Sequence, residues 1–348
     1  MFNNKRVLVT GATGTVGRAL VHKLVEDNLA GEVIAIDNNE SEIFFLNERY
    51  SQKGNFTARV ADVRDKEKMK RLTRGVDVIF HAAAYKHVIL SEMDPFDYVQ
   101  VNAIGTQNLL EAALENNVEL LINTSTDKAV NPTNVMGATK LLGERLVSAA
   151  NVYAGTPKVK FSSVRFGNVL GSRGSLLPLL IKQIKQGGPV TLTDERMTRF
   201  VMSIQDAVYL VLKSANLAKG GEVFVLKMKA VRILDLIKAV IELVAPRFGY
   251  RPEDIEIKKI GAKPGEKLYE ELMNSEEITH AWELKDMFVI LPRFKDFYKG
   301  RSYEYPDLVS KKVDKPYISA EEEFLSIDEI KRYLTEHKII EYAMEGEL

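Results

Sequence analysis

The chain contains no cysteine among its 348 residues, which removes disulfides, thiol nucleophiles and thiolate metal sites together. It has no excess of charge either: 48 basic and 48 acidic residues cancel, leaving no global field to recruit nucleic acid or an anionic membrane surface. Any anionic ligand must therefore be held by a local site. The histidines, at positions 22, 81, 87, 280 and 337, lack metal-ligand spacing, so no metal is expected, and His81 at a strand end reads as structural. Long apolar runs are missing too. Leu176 to Ile181 is interrupted by Pro178 and falls far short of the about 20 residues needed to span a bilayer, so no membrane insertion is expected. The chain enters a strand pattern almost at once, which leaves no room for a signal peptide, and a soluble, cytoplasmic protein is the expectation. There is no internal repeat, low-complexity segment or clean linker.

What is present is an alternation of strand and helix patterns, the mark of a doubly wound parallel α/β sheet. Arg6 to Thr10 is β-rich and runs into GATGTVG, with Gly11, Gly14 and Gly17 spaced GxxGxxG before a helix that starts near Thr15. The first glycine suits a tight turn, the second lets backbone approach a pyrophosphate, and the third allows helix and strand to pack closely. The turn, with Thr13, Thr15 and Val16 inside it, is the candidate dinucleotide site. Glu32 to Asp37 reads as a second strand ending on an acid 20 residues after Gly17, where a carboxylate can accept both hydroxyls of an adenosine ribose. Asn38 and the next three residues include no arginine for a 2′-phosphate, so NAD is favoured over NADP; Asp37 could instead cap a helix over Ser41 to Tyr50. A third strand, Phe56 to Ala61, leads to Asp62 and Val63, candidates for the adenine edge.

A fourth strand, Val76 to Phe80, leads into HAAAYKHV, where Ala82, Ala83 and Ala84 are small enough for a ligand to lie against the chain, and Lys86 and His87 project from the loop. A single amphipathic helix is expected over roughly Pro95 to Asn116, with Val99, Ala103, Ile104, Leu110, Ala113 and Leu114 facing the sheet. Leu120 to Asn123 then reads as a buried fifth strand, and Val159 to Phe166 as a sixth.

The fifth strand delivers the stretch on which the chemistry centres, TSTDKAVNPTNVMGATK, Thr124 to Lys140. It brings a hydroxyl, a carboxylate and two ammonium groups close to a helix start marked by Pro132 and Asn134. Met136 and Lys140, four residues apart, share a helix face. A solvated loop pair at Asp127-Lys128 and a packing role for Met136 are the bland alternatives. Beyond Gly167 the rhythm changes to turn glycines and short apolar runs with Arg173, Arg196 and Arg199, either a solvated surface or a diphosphate clamp. Gly261 to Lys267 reads as a stiff turn before a helix. The domains expected are a Rossmann domain over 1–166, to which segments around 200–228 return, a smaller substrate lobe over 167–300, and an extension of unknown role over 301–348.

On the motifs GATGTVG, AAAYKHV, TSTDKAVNPTNVMGATK, VRFGNVLGSRGSLLP, TDERMTRF and KPGEKLYEEL, over roughly Lys5 to Ser275, the chain resembles the extended short-chain dehydrogenases/reductases. More narrowly it resembles their CapD-like polysaccharide biosynthesis branch, the UDP-N-acetylglucosamine 4,6-dehydratases. The resemblance implies a tightly held NAD, oxidation at carbon 4 of the sugar, loss of water across carbons 5 and 6, and hydride return to carbon 6. It makes Asp127 the acid for the departing hydroxyl, Lys128 the base at carbon 5, Thr126 a hydrogen-bond partner of the 4-hydroxyl, and Lys140 the anchor of the nicotinamide ribose. Opposite pKa shifts on Asp127 and Lys128 would suit those roles. It places Asn168, Arg173 and Arg199 near the diphosphate, Leu177 and Pro178 near uracil, Glu266 near the uridine ribose, and Lys86 and His87 beside the sugar. Met136 stands where many relatives have the Tyr of Tyr-x-x-x-Lys, and a thioether cannot take the 4-hydroxyl proton; Asp127, Lys128 or a water on Thr126 would have to. A 4-epimerase, or a noncatalytic NAD-sensing regulator, are the competing readings. The resemblance also implies a homo-oligomer built on the helices near 95–116 and 134–153.

Overall fold

The computed structural model describes residues 2–261, 265–298 and 300–345. The chain forms two compact units. One comprises Met1–Arg165, Val208–Lys227 and Met273–Pro316, the other Phe166–Ala207, Met228–Leu272 and Tyr317–Leu348.

The first unit is built on strands β1 (Phe2–Thr10), β2 (Ala30–Asp37), β3 (Phe56–Val60), β4 (Val78–His81), β5 (Leu120–Thr126) and β6 (Lys160–Phe166). They lie in the order β3-β2-β1-β4-β5-β6, and the sheet continues through Val223–Leu226, Met287–Ile290, Ala281–Leu284 and Leu308–Ser310 to ten strands. Val223–Leu226 runs parallel to β6, while Met287–Ile290 and Ala281–Leu284 are antiparallel. This is the α/β doubly wound Rossmann sheet read from the alternating pattern, extended by an antiparallel edge. Strand order reverses between β1 and β4, and in such sheets ligands bind beyond the carboxyl ends at that reversal. Gly11 to Gly17 and Ala82 to Ala84 follow the ends of β1 and β4, and Asp127 and Lys128 follow Thr126, the last residue of β5.

Helices α1 (Thr15–Glu26), α2 (Glu40–Tyr50), α3 (Lys66–Leu72) and α4 (Val88–Met93) follow the pattern. α2 is capped by Asn39, whose side chain accepts from the Glu42 amide, so Asp37 is not its cap. The single helix expected over 95–116 is interrupted: α5 (Pro95–Tyr98) passes into a π-helical stretch, Val99–Gly105, before α6 (Thr106–Glu115). The wider turn rotates the face, so Val101, Asn102, Ala103 and Gly105 are buried while Ile104, expected inside, is 45% exposed. α7 (Val135–Tyr153) lies beyond β5. Leu8, Ile34, Ile79, Leu109, Leu110, Leu121 and Phe161 form the centre of this unit's core.

In the second unit, α8 (Leu176–Lys185) packs with the helix Ile233–Val244 around Leu177, Leu180, Ile181, Ile237 and Val240. Residues of the expected extension belong to this core: Ile330, Leu334, Ile339 and Ile340 lie inside it, on helices Ile327–Glu336 and Ile339–Glu345. The turn expected over 261–267 is not followed by a helix; a strand, Glu271–Met273, comes next, and Ala262, Lys263 and Pro264 lie outside the described residues.

Candidate active site

β5 is apolar through Ile122 and then turns polar, so the pairing that holds Leu120 to Asn123 beside β4 leaves Thr126 at the carboxyl end of the strand. One turn of 3-10 helix, Asp127–Ala129, follows, with Thr126 at its start. Asp127 is wholly buried. Its Oδ1 accepts from the Thr126 hydroxyl at 2.9 Å and from the Lys128 ammonium at 2.9 Å, whereas Oδ2 is buried with no hydrogen-bond partner. A buried carboxylate oxygen left unpaired costs about 1–3 kcal/mol or more, so this atom is where a proton or an incoming hydroxyl is best accommodated. The Lys128 side chain stays 24% exposed, and the solvated loop pair is therefore excluded for Asp127.

α7 begins against this turn. Asn134 caps it by accepting from the Gly137 amide at 2.8 Å, and a Cβ at Gly137 would overlap the Lys128 carbonyl, so only glycine lets the first turn lie so close. The Val135 and Met136 amides, orphaned at a helix start, donate to Glu92 Oε1 at 2.8 Å and Ser91 Oγ at 3.2 Å. α4, which follows Lys86 and His87, is thereby tied to α7. Met136 is 3% exposed and Lys140 8%. The Lys140 ammonium donates to the Thr124 carbonyl at 2.7 Å, and burial pushes it down to about 8, with Glu144 one helical turn on acting upward.

The turn Gly11 to Gly17 fits a dinucleotide. A Cβ at Gly11, whose φ is +65°, would lie 2.5 Å from the Ala83 nitrogen, and one at Gly17 would overlap the Gly11 carbonyl. Gly14 starts α1 with no side-chain cap and the first turn holds no acid, which leaves a helix N-terminus suited to a pyrophosphate. Thr13 is buried, and its amide donates to Asp37 Oδ2 at 3.1 Å, while the Asn39 amide donates to Oδ1 at 3.1 Å. Thr15 and Val16 are half-buried in the first turn of α1. Arg64 grips Asp62 through both oxygens and, ahead of an Asn38 hydrogen bond, holds its carboxyl below the usual range. Val63 is buried, and Ala82, Ala83 and Ala84 are half-buried in the loop after β4. Lys86 and His87 are exposed, with partial burial and then the Lys86 charge lowering His87.

In the second unit, Asn168 is half-buried with Oδ1 unpaired, and Arg173 is exposed on the loop that leads to α8. Leu177 is 1% exposed and belongs to the core; Pro178 beside it is half-buried. Arg199 is 6% exposed and spends its guanidinium on the Thr198 and Lys267 carbonyls at 2.8 and 2.9 Å, with Glu270 at 3.6 Å and Glu266 at 4.0 Å. It braces the 266–270 segment. Arg196 is engaged by Asp194 at 2.8 Å. Among the described residues no group of three or more His, Asp or Glu could hold a metal ion, and no helix is long and apolar enough to cross a membrane.

Sequence reasoning missed Ser91 and Glu92 as caps of α7 and assigned no role to Asn102. Asn102 is 1% exposed; its Oδ1 accepts from the Tyr85 amide at 2.8 Å, and its Nδ2 donates to the Tyr85 carbonyl at 3.0 Å and to Thr139 Oγ1 at 3.1 Å. No local pattern signals these partners, because they are 17 to 45 residues apart.

The family described as polysaccharide biosynthesis protein matches residues 7–292. A Methanocaldococcus jannaschii protein named as an uncharacterized membrane protein is 54% identical over 336 residues, 96% of each chain. A UDP-N-acetylglucosamine 4,6-dehydratase (inverting) of Campylobacter jejuni is 38% identical over 296 residues, 85% of each. A UDP-glucose 4-epimerase of Rickettsia canadensis is 34% identical over 341 residues, 96% of each. The chain spans only 46% of the capsular polysaccharide biosynthesis protein CapD of Staphylococcus aureus, at 43% identity. Among solved structures, Pen from Bacillus thuringiensis superposes with a TM-score of 0.88 at 37% identity, covering 96% of this chain and 98% of that one. A Thermus thermophilus UDP-glucose 4-epimerase solved with NAD gives 0.63 at 25% identity over 75% of this chain and 88% of its own.

Proposed function

Because the chain belongs to the polysaccharide biosynthesis protein family, we propose that it is an NAD-dependent 4,6-dehydratase of a UDP-linked amino sugar, UDP-N-acetylglucosamine first among them. The observation that carries this reading is the buried Asp127 with Oδ2 unpaired and Lys128 on Oδ1, a proton donor and a base on one turn. NAD would be held by Gly11, Thr13, Gly14, Thr15, Val16, Gly17, Asp37, Asn38, Asp62, Val63 and Ala82 to Ala84, and would supply hydride acceptance at carbon 4 and return at carbon 6. Thr126 orients the 4-hydroxyl. Once carbon 4 is a ketone the carbon 5 proton is acidic enough for Lys128 to remove, and Asp127 protonates the hydroxyl leaving carbon 6. Met136 has no proton-accepting atom, so the 4-hydroxyl proton passes to Asp127, Lys128 or a water on Thr126. Lys140, anchored on Thr124, holds the ribose and supplies positive charge. Lys86 and His87 flank the sugar. Of the second unit, Asn168, Arg173 and Pro178 recognise the nucleotide, while Arg199 braces the segment that carries Glu266.

A second reading, a 4-epimerase, is favoured by the Rickettsia similarity over nearly the whole chain. Incubation with UDP-N-acetylglucosamine in heavy water separates the two. Loss of one water with deuterium at carbon 5 is expected; a carbon 4 epimer without loss of water would favour the second reading, and an unchanged sugar on a protein holding NAD would point to another nucleotide sugar first and to the regulator second.

Lys140 sets a pH dependence. Burial favours its neutral amine, so the folded chain releases the proton near 8 while an unfolded chain keeps it to about 10.4. Across that window this group makes stability rise with pH, but a role that needs the ammonium is lost. NAD affinity measured by calorimetry is expected to fall as pH rises through about 8 and to lose that dependence in Lys140→Met. Exposed Ile89, Leu90, Met93 and Phe96 around α4 and α5, with Ile104 and Leu142, give the first unit an apolar surface suited to a homo-oligomer.

A further inference from the structure

His81 closes β4 with its imidazole buried between two threonines. Thr10 Oγ1 lies 2.7 Å from Nδ1 and Thr106 Oγ1 lies 3.0 Å from Nε2. The neighbours of those hydroxyls assign the ring proton. Thr106 donates its hydrogen to the Asn102 carbonyl at 2.8 Å, so it must accept from Nε2–H. Thr10 accepts from the Ala83 amide at 3.3 Å and has its hydrogen left for Nδ1. The opposite tautomer would leave the Thr10 hydrogen without an acceptor and take the Thr106 hydrogen away from Asn102. A directed chain results: Ala83 amide to Thr10 to His81 to Thr106 to the Asn102 carbonyl. Asn102 then clamps both backbone groups of Tyr85 and the Thr139 hydroxyl beside Lys140. The His81 carbonyl accepts from Thr124 Oγ1 at 3.1 Å, and Thr124 is the residue that receives the Lys140 ammonium.

We propose that His81 is a positioning residue for the reaction: held as the Nε2–H tautomer, it locks the Ala82 to Tyr85 loop and the π-helical stretch in one register with the Lys140 face of α7. The inference rests on the reading of that loop as the cofactor-facing one. The π stretch has a reason in this arrangement, since it presents the Asn102 carbonyl to Thr106 and the Asn102 side chain to the loop at once. Burial, then the nearby Lys140 charge, pushes the ring down to about 3, so the imidazole stays neutral throughout the working range. Lys140 is the charged group that acts on it.

Nitrogen-15 NMR of the ring in the full-length protein is expected to show the Nε2–H tautomer, unchanged through about 6.5, where an exposed histidine titrates. A titrating ring, or the Nδ1–H form, overturns the proposal. Two variants dissect the chain, since asparagine restores only the acceptor toward Thr10 and glutamine only the donor toward Thr106. His81→Gln should speed amide exchange at Ala83, and His81→Asn at Tyr85. Both should lower kcat by roughly 10- to 100-fold with KM for the sugar nucleotide little changed, because small displacements of reacting groups carry such costs. Exchange that rises evenly with global unfolding, or an unchanged kcat per folded molecule, means a structural role alone. If the unaltered protein turns over no sugar nucleotide, the proposed function fails, while the tautomer and exchange measurements still decide the role of His81.

Discussion

Asp127→Asn is expected to lower product formation by roughly 10²- to 10⁴-fold, the range for removing a general acid, while oxidation at carbon 4 continues. The variant keeps the shape and an oxygen to accept from Thr126 and Lys128, which hold Oδ1 in the native protein. What it removes is the transferable proton at Oδ2, the oxygen that no protein group satisfies. Quenching with sodium borodeuteride distinguishes the steps. Deuterium at carbon 4 of a sugar that retains its 6-hydroxyl means oxidation without elimination, the outcome expected. Undiminished formation of the dehydrated sugar would remove Asp127 from the role of acid. In a 4-epimerase, by contrast, the same substitution would leave epimer formation without a missing elimination step to report.

The largest effect on stability is expected at Arg165. Arg165 is 1% exposed and is forked on both sides: Nε and Nη2 donate to Glu144 at 3.0 and 2.6 Å, and Nη1 and Nη2 donate to Glu277, each at 3.0 Å. These bonds tie α7, one turn beyond Lys140, to β6 and to the segment that leads into the antiparallel edge of the sheet. Arg165→Met would strand two buried carboxylates, a loss of about 3–5 kcal/mol. Urea unfolding followed by circular dichroism measures it. Replacing Glu144 and Glu277 by methionine in the same chain should restore most of the loss, because an apolar trio needs no compensating charge; failure to recover would mean that geometry rather than charge balance holds the site. The acid limb follows from Glu277. Burial by itself would raise that carboxyl, but the charge and hydrogen bonds of Arg165 override it and hold it below its usual range. Its contribution is complete above the unfolded value of about 4.3 and is lost as pH falls through the lower folded value, so Arg165→Met should flatten the acid side of the stability profile.

Local signals in the sequence were enough for the six strands β1 to β6, α1, the Asn134 cap and the contact of Thr126, Asp127 and Lys128. Each rests on residues within a few positions of one another: period-two apolar runs, glycines at a turn, a capping side chain, consecutive residues on one turn. The tertiary structure decided what depends on distant partners. The π stretch carries Asn102, whose partners Tyr85 and Thr139 are 17 and 37 residues away, and no local pattern announces them. Arg199 matched a phosphate clamp as a residue type, yet its guanidinium is taken by carbonyls 68 and 69 residues further on. Leu177 lies in the core because α8 turns that face toward the helix Ile233–Val244. The segment beyond 317, which carries no motif, supplies Ile330, Leu334 and Ile340 to the second unit's core, since burial depends on what a helix packs against and its own sequence supplies only one of the two faces.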